Sequence, residues 1–212
     1  MANTDWAFGF MPYEKLLRAN YYAIHTAPTI GFYHGDIVGV MGVNVTTPHM
    51  GYLPELLYDA VPDSLDNLVG AVLALFDENM LPVKYIAATE VGNGTIAGYA
   101  LVADHPDQLF VAREDFDGNA ITTTEGSLNA DIVSVALCAG NNATGRSRQM
   151  IDSDSAAATA ALNLKLYGPH PDDGHLVADD TPGDSLDEGC RYICQITMHY
   201  YGQPSVAGSK SA

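Results

Sequence analysis

Positively charged residues are scarce in this chain of 212 residues. It contains nine Lys and Arg residues against 26 Asp and Glu, which gives a formal net charge of −17 at pH 7. So few cations cannot replace the counterions around a nucleic-acid backbone, and the same negative charge opposes docking on an anionic membrane. The composition therefore argues against nucleic-acid and membrane partners, and it indicates a well-hydrated surface.

Long apolar segments and paired cysteines are also lacking. No apolar run approaches the length of about 20 residues that spans a bilayer. The segment Ala2–Phe10 lacks the basic start and apolar centre of a signal peptide, so we expect synthesis in a reducing cytoplasm. The three cysteines, Cys138, Cys190 and Cys194, are an odd set, and we predict that they are free thiols.

Catalytic and metal-binding motifs are absent as well. There is no Gly-x-Ser-x-Gly, His-Glu-x-x-His, phosphate-binding loop or dinucleotide fingerprint. Cys190 and Cys194 with His199 come nearest to a zinc site, but on a strand the two cysteines lie about 13 Å apart. Asp115–Asn119 lacks the glycine and glutamate positions of a calcium loop. We expect a non-enzymatic protein without cofactor or metal, although a divalent cation in the acidic loop 172–188 remains an open alternative.

What the chain does contain is dense turn chemistry, with 20 Gly and 11 Pro. Between Asn67 and Gly118, four apolar runs each end at a turn signal: Leu68–Phe76, Leu81–Thr89, Thr95–Ala103 and Gln108–Glu114. This spacing predicts an antiparallel meander, and alternation in the fourth run predicts that Phe110 faces the core. A helix is the competing interpretation for residues 65–76, where Leu65, Leu68, Val69 and Val72 fall at helical spacing. We favour the strand.

The rest of the chain shows the same pattern. We predict strands at Ala19–His25, Asp36–Val45, Ile121–Thr124, Ala130–Cys138, Leu162–Leu166 and Cys190–Tyr201, a helical turn at Glu55–Ala60, and a polar loop at Asn141–Asp154. The fold class is therefore all-β, a β-sandwich or barrel-like antiparallel fold with an extended N-terminal arm and few short helices. We divide it into an arm with the first strand (1–35), a main β domain (36–201) and a flexible C-terminal tail (202–212).

Two segments provide candidate contact residues. The arm carries Trp6, Phe8, Phe10 and Met11, while Gly9 and Pro12 prevent a helix there. These apolar side chains must be buried either in the chain's own core, which we favour, or against a neighbour. Arg146 and Arg148 form the only close pair of arginines, and we expect them to pair with Asp152, Asp154 or a neighbouring subunit.

A resemblance accompanies these patterns. The chain resembles the head decoration, or cement, proteins of tailed bacteriophages, which are minor capsid proteins. The resemblance rests on short motifs distributed over most of residues 1–201: Met1-Ala2-Asn3 with Phe8-Gly9-Phe10-Met11-Pro12, Ala19–Ile24 with Gly35-Asp36-Ile37-Val38, Ala103–Phe110, and Leu128–Leu166. The acidic loop 170–188 and the strand with Cys190 and Cys194 depart from the family's pattern.

The resemblance implies a non-enzymatic virion protein. Such a protein binds the major capsid protein on the outer surface of the shell, cements neighbouring capsomers, and is commonly a homotrimer. It would be assembled in the host cytoplasm and would reside in the virion. A charge of −17 agrees with this outer location, because packaged DNA repels it. The arm could anchor the protein by adding a strand to a neighbour's sheet, with Trp6, Phe8 and Phe10 as the main contacts.

Two other functions remain open from the sequence. The first alternative is a head-fibre module or a receptor- or carbohydrate-binding β module, which needs exposed aromatic rings in one groove. Its candidates are Tyr21, Tyr22, Tyr200 and Tyr201. The second alternative is a small hydrolase whose His and Asp residues come together only in the fold.

Overall fold

The protein is built from strands, as the sequence predicts. The computed structural model describes residues 8–25, 31–40, 55–57, 68–88, 90, 96–115, 121, 128–133, 140–157, 162–173, 189–197 and 199–202. The described residues contain no helix. In chain order their strands are β1 (Met11–Pro12), β2 (Ala19–His25), β3 (Phe32–Tyr33), β4 (Ile37–Val40), β5 (Glu55–Leu57), β6 (Leu68–Asp77), β7 (Pro82–Val83), β8 (Tyr85–Ile86), β9 (Ile96–Ala103), β10 (Leu109–Arg113), β11 (Asn129–Ile132), β12 (Ile151–Ala157), β13 (Leu164–Pro169) and β14 (Arg191–Ile196).

The first sheet has six antiparallel strands in the order β1-β10-β14-β13-β11-β12. Its last strand, β12, approaches its second strand, β10, because Glu114, directly after β10, forms a parallel bridge with Ile151 at the start of β12. The backbone N–H of Asp115 also donates to the carbonyl oxygen of Ile151 at 2.9 Å. The sheet therefore curls strongly, which places the inward side chains of β10, β12, β13 and β14 around a common interior.

The second sheet closes on itself. Its order is β4-β5-β2-β9-β6-β7, and β4 also pairs with β6. The strands β4, β5, β2, β9 and β6 therefore form a ring in which only the β2–β5 pair is parallel. A closed ring leaves fewer unpaired strand edges than an open sheet. The two-stranded sheet β3–β8 is separate from the ring.

Two apolar clusters form the core. One joins the first sheet to the ring, since Ile37, Leu68, Ala71 and Ala103 of the ring pack with Phe110 and its neighbours in the first sheet. The other cluster lies on the opposite face of the ring and is completed by the small β3–β8 sheet: Tyr22, Ile24, Phe32, Val38, Val69, Val72, Leu75, Ile86, Ala97, Ala100 and Val102. The layered arrangement and the shared core confirm the prediction of an all-β, sandwich-like fold.

Strand β6 explains why its sequence also fits helical spacing. Leu68 and Ala71 face one cluster, whereas Val69 and Val72 face the other. Such spacing breaks strict alternation, and the break falls at Gly70, which has φ +156°. A Cβ atom at Gly70 would lie 1.7 Å from the carbonyl oxygen of Ala103. Strand β6 is buried on both faces, and its backbone is irregular at Gly70 and has a register shift between Val72 and Ala74. Its apolar residues therefore fall at a spacing that also fits a helix.

Most predicted strands are confirmed, and four predictions are wrong in detail. The four runs of 67–118 do not form one meander: β6 pairs with both β7 and β9, while β10 belongs to the other sheet. The run Leu81–Thr89 contains two strands of two residues each. Glu55–Leu57 is a strand paired with β2 and β4 instead of a helical turn. The polar loop ends at Met150, because β12 begins at Ile151. Of the predicted elements, residues 41–45, 58–60, 122–127, 134–139 and 198 lie outside the described part.

The predicted N-terminal arm is part of both sheets. β1 pairs with β10, with Met11 opposite Val111, and β2 pairs with β9 along its whole length. Phe10 is only 1% exposed and belongs to the core. Residues 8–25 are thus integrated into the fold, because tertiary pairing satisfies their backbone groups and buries their apolar face. Residues 1–7 and 203–212 lie outside the described part.

Candidate functional site

The first candidate site begins with the chain segment around β1. Gly9, with φ +68°, lies so close to Gly35 that a Cβ atom on Gly9 would be 2.8 Å from the carbonyl oxygen of Gly35. Phe10 donates its backbone N–H to the same oxygen at 2.8 Å, and Tyr13 donates to Leu109 at 2.8 Å. Glycine at position 9 is required both by the conformation and by the close approach. The segment is therefore held in one position on the surface of the two sheets.

A second segment, the turn 141–146, comes to the same place from far along the sequence. The side-chain oxygen of Asn141 accepts backbone hydrogen bonds from Ala143 at 2.8 Å and Thr144 at 3.2 Å. Gly145 adopts φ +71° against the carbonyl oxygen of Lys84. The turn is joined to His34, whose backbone N–H donates to Gly145 at 3.0 Å. This side-chain-capped turn fixes the direction in which Arg146 leaves the backbone.

Between the two segments lies a cavity of about 370 Å³, which we call the N-terminal cavity. Its walls are mainly apolar, and three polar residues, His34, Thr144 and Arg146, lie among them. The described residues that line it are Phe8, Phe10, Met11, Pro12, His34, Gly35, Val72, Leu73, Thr144 and Arg146. A cavity of this size with few convergent polar groups is typical of binding sites for small ligands or single side chains.

The structure brings four of the six predicted contact residues to this cavity: Phe8, Phe10, Met11 and Arg146. Met11 is 40% exposed and Arg146 is exposed, so both are accessible to a partner. Phe8 is half-buried, with the guanidinium of Arg113 5.6 Å from its ring centre. Trp6 lies outside the described residues, so its role stays a prediction.

Phe10 and Arg148 differ from the other candidates. The ring of Phe10 is buried in the chain's own core, the placement favoured from the sequence for the apolar side chains of the arm, so it presents no ring surface to a partner in the described fold. Arg148 is half-buried and does not line the cavity. Arg146 makes no ion pair with Asp152 or Asp154 among the described residues.

A second candidate site surrounds Asp104, which directly follows β9 and is completely buried. Its carboxylate accepts hydrogen bonds from Arg18 Nε at 2.8 Å, Asn20 Nδ2 at 2.8 Å and the Tyr22 hydroxyl at 2.6 Å. The Tyr22 hydroxyl lies 3.2 Å from that of Tyr201. We call these five residues the Asp104 network. Burial alone would raise the pKa of Asp104, but the hydrogen bonds lower it below its ordinary value.

The four tyrosines proposed for carbohydrate binding do not form one groove. Tyr22 is buried, and its pKa is raised by burial and by its hydrogen bond to Asp104. Tyr201 is exposed and packs edge-on against Tyr200, with their ring centres 5.0 Å apart. Tyr21 points to the other face of β2, where it contacts Phe76. Only Tyr200 and Tyr201, next to the guanidinium of Arg18, offer aromatic surface at one place.

Several groups with displaced pKa values are buried away from open surface. Burial raises the pKa of Asp36 to about 7 and that of Glu114 to about 7. Each carboxylate accepts a backbone hydrogen bond, from Tyr33 at 2.7 Å and from Ile121 at 3.0 Å. Burial also lowers the pKa of His199 to about 4 and raises that of the Cys194 thiol. Burial in the core accounts for all four displaced pKa values, as expected for side chains with a structural role.

The cysteines and the metal-ligand residues give no site in the described part. Cys190 and Cys194 are buried free thiols, as predicted for them, while Cys138 lies outside the described residues. No group of three or more His, Cys, Asp or Glu side chains there has the arrangement of a metal site. Of the acidic loop 172–188, only Asp172 and Asp173 are described, and both contact Arg191.

Sequence reasoning missed three features of these sites. His34 and Thr144 line the cavity although 110 positions separate them, and no sequence signal connects them. Leu16 and Leu17 are exposed, and the backbone N–H of Leu17 donates to the side-chain oxygen of buried Gln108 at 2.9 Å. The sequence marks Asp104 only as part of the turn after the run Thr95–Ala103, whereas in the fold its buried carboxylate accepts hydrogen bonds from three side chains.

Comparison of the chain with protein-family models, with curated proteins and with solved structures finds no match in any of the three. Among the described residues, no helix is long and apolar enough to cross a bilayer. Interpretation of the N-terminal cavity and the Asp104 network therefore rests on their geometry.

Proposed function

We propose that this chain is a non-enzymatic virion structural protein that binds the outer surface of a phage capsid and cements neighbouring capsomers, as a homotrimer. The observation that carries the proposal is the position of Met11 and Arg146. These two accessible side chains, from segments far apart in sequence, meet at the N-terminal cavity beside the edge strand β1. An apolar and a cationic group on a rigid edge suit adhesion to another protein.

The charge distribution supports an outer location and a protein partner. Packaged DNA repels a chain with a net charge of −17, whereas the outside of the shell is remote from that charge. Arg18 and Arg191 pair with Asp104 and with Asp173. Arg146 has no carboxylate partner among the described residues, although the chain has 26 acidic side chains. An exposed guanidinium kept unpaired is available for a partner's carboxylate.

The placement of the titratable groups also favours a structural role. Asp36, Glu114 and His199 have the clearly displaced pKa values expected of reactive groups, but all three are buried among backbone partners. None of them lines the N-terminal cavity. Catalytic groups with displaced pKa values are instead found where substrate can reach them. This placement supports a role in rigidity and adhesion.

The first test is the mass of the purified protein in solution, measured by light scattering at near-physiological salt. We expect a mass near three times 22.6 kDa. A monomer at all concentrations would contradict a preformed trimer and would leave assembly on the shell as the remaining form of the proposal.

The second test is co-sedimentation with expanded shells of the phage that carries this gene. We expect Met11→Asp to weaken binding at least about tenfold, because it places a charge in an apolar contact. Met80→Asp is the matched control: Met80 is 44% exposed at the β6–β7 hairpin, away from the cavity. Equal binding of the wild type and Met11→Asp would refute the contact role of β1. Deleting residues 1–12 is a poor test, because it removes Phe10 from the core.

A carbohydrate-binding module is the second candidate function. The observation that favours it is the exposed ring of Tyr201, flanked by Tyr200 and by the guanidinium of Arg18 at 5.3 Å. Aromatic rings with adjacent polar groups are suited to sugar recognition. Retention on immobilised host-surface glycans that is lost in Tyr201→Ala would support it. No retention of the wild-type protein would remove it.

A further inference from the structure

The N-terminal cavity combines two chemically different sides. Phe8, Met11, Pro12 and Leu73 contribute apolar surface, and among the described lining residues only Arg146 has a permanent positive charge. The cavity volume of about 370 Å³ has room for a phenyl ring or a short acyl chain. An apolar ligand would gain by displacing water from these walls. The guanidinium of Arg146 also favours a ligand that carries a negative charge.

Arg146 is held so that its charge is free for a ligand. Its backbone carbonyl oxygen accepts a hydrogen bond from Asn141 at 2.9 Å, and its N–H donates to Thr144 Oγ1 at 3.3 Å. Both contacts use the main chain. Among the described residues its guanidinium has no ion-pair or hydrogen-bond partner. A guanidinium presents N–H groups that match the two oxygens of a carboxylate.

His34 contributes a second polar group of defined character. Its Nδ1 lies 3.0 Å from the carbonyl oxygen of Leu73, and because a carbonyl oxygen only accepts hydrogen bonds, Nδ1 carries a proton and donates it there. This hydrogen bond fixes the ring, because Leu73 belongs to the buried strand β6. Among the described lining residues Arg146 holds the one permanent positive charge, which suits a monoanion.

We propose that the N-terminal cavity is a binding site for an organic monocarboxylate with an apolar body, whose carboxylate pairs with Arg146 while its apolar body contacts Phe8, Met11 and Leu73. The occupant is a free small molecule. It uses Arg146 and Met11, which the proposed capsid contact also uses, so the two partners compete for the cavity; the test of ligand binding needs no capsid.

The test uses 4-phenylbutyrate and its neutral amide, 4-phenylbutanamide, titrated into the full-length protein at low salt and followed by protein NMR. We expect the acid to bind at least about tenfold more tightly than the amide, which corresponds to about 1.4 kcal/mol. Arg146→Gln should remove this difference, because only the acid uses the charge. Arg146→Lys should retain part of it, since a lysine keeps the charge but loses the planar fork.

Lys165→Gln is the matched control. It removes one exposed positive charge on β13, at a residue that does not line the cavity, and should leave the preference for the acid unchanged. Equal affinity of acid and amide for the wild type would overturn the proposal. So would an acid preference that survives in Arg146→Gln, or no binding of either probe at about 10 mM, a weak limit for a ligand of this size.

Discussion

Replacing Tyr22 with Phe removes one hydroxyl from the interior and leaves the aromatic ring in place. That hydroxyl donates to the carboxylate of Asp104 at 2.6 Å, and both residues are buried. A hydrogen bond to a charged group contributes about 1.5–3 kcal/mol, and a buried carboxylate that loses a donor cannot recover it from water. Because Arg18 and Asn20 remain bound to Asp104, we expect Tyr22→Phe to lower the free energy of unfolding by about 2 kcal/mol.

The assay is urea unfolding at pH 7, followed by circular dichroism, with Tyr201→Phe as the control. Tyr201 is exposed, and its hydroxyl lies 3.2 Å from that of Tyr22. Losing it should cost about 0.5 kcal/mol or less. Equal denaturant dependence of the variants would show that unfolding exposes the same surface.

The pH dependence of this loss has a definite sign. The pKa of Asp104 is lowered in the folded state, so its stabilising effect is complete above its unfolded pKa of about 3.9 and is lost as the pH falls through the folded value. The difference between the wild type and Tyr22→Phe should therefore narrow below about pH 4. The reasoning would be refuted if Tyr22→Phe were as stable as the wild type at pH 7. It would also be refuted if their difference in the free energy of unfolding did not change with pH down to the acid transition.

Three further outcomes follow from burial and backbone geometry. The pKa of Asp36 is raised to about 7, so the free energy of unfolding should fall as the pH rises from about 4 to 7. In urea titrations, Asp36→Asn should reduce that fall by more than about 1 kcal/mol. The same dependence of stability on pH in the variant and the wild type would contradict this. Gly70→Ala should destabilise by at least about 3 kcal/mol more than Gly168→Ala in thermal unfolding, since both have positive φ but only Gly70 has an atom in the way. Phe10→Ala should cost about 3–5 kcal/mol and Met11→Ala under about 1 kcal/mol, and equal losses would refute the assigned burial.

Local patterns were sufficient for the fold class and for several strands. Ala19–His25 was predicted with the observed bounds, and Phe110 faces the core as the alternation required. Leu164 and Leu166 are buried while Lys165 is exposed, which confirms the period of two in β13. These features depend on the fixed geometry of a strand and on the chemistry of turns. Both are properties of neighbouring residues.

The pairing of the strands and the composition of the sites could not be predicted from local patterns. The sequence does not reveal that β4 pairs with both β5 and β6, or that β10 leaves the ring for the other sheet. Glu55–Leu57 became a strand because β2 and β4 offered it partners on both sides. A short segment has weak intrinsic preference, so available hydrogen-bond partners determine its conformation.

The sequence by itself determined a negatively charged all-β chain, many of its strands and the inward face of β10 and β13, because composition, turns and alternation act over a few residues. The tertiary structure alone decided that Phe10 is buried while Met11 is exposed, that Arg146 and His34 share a cavity, and that Asp104 collects three donors from β2 and the loop before it. The last two juxtapositions join residues that lie between 82 and 112 positions apart. They depend on how two curved sheets pack, and nothing in a local window specifies that packing.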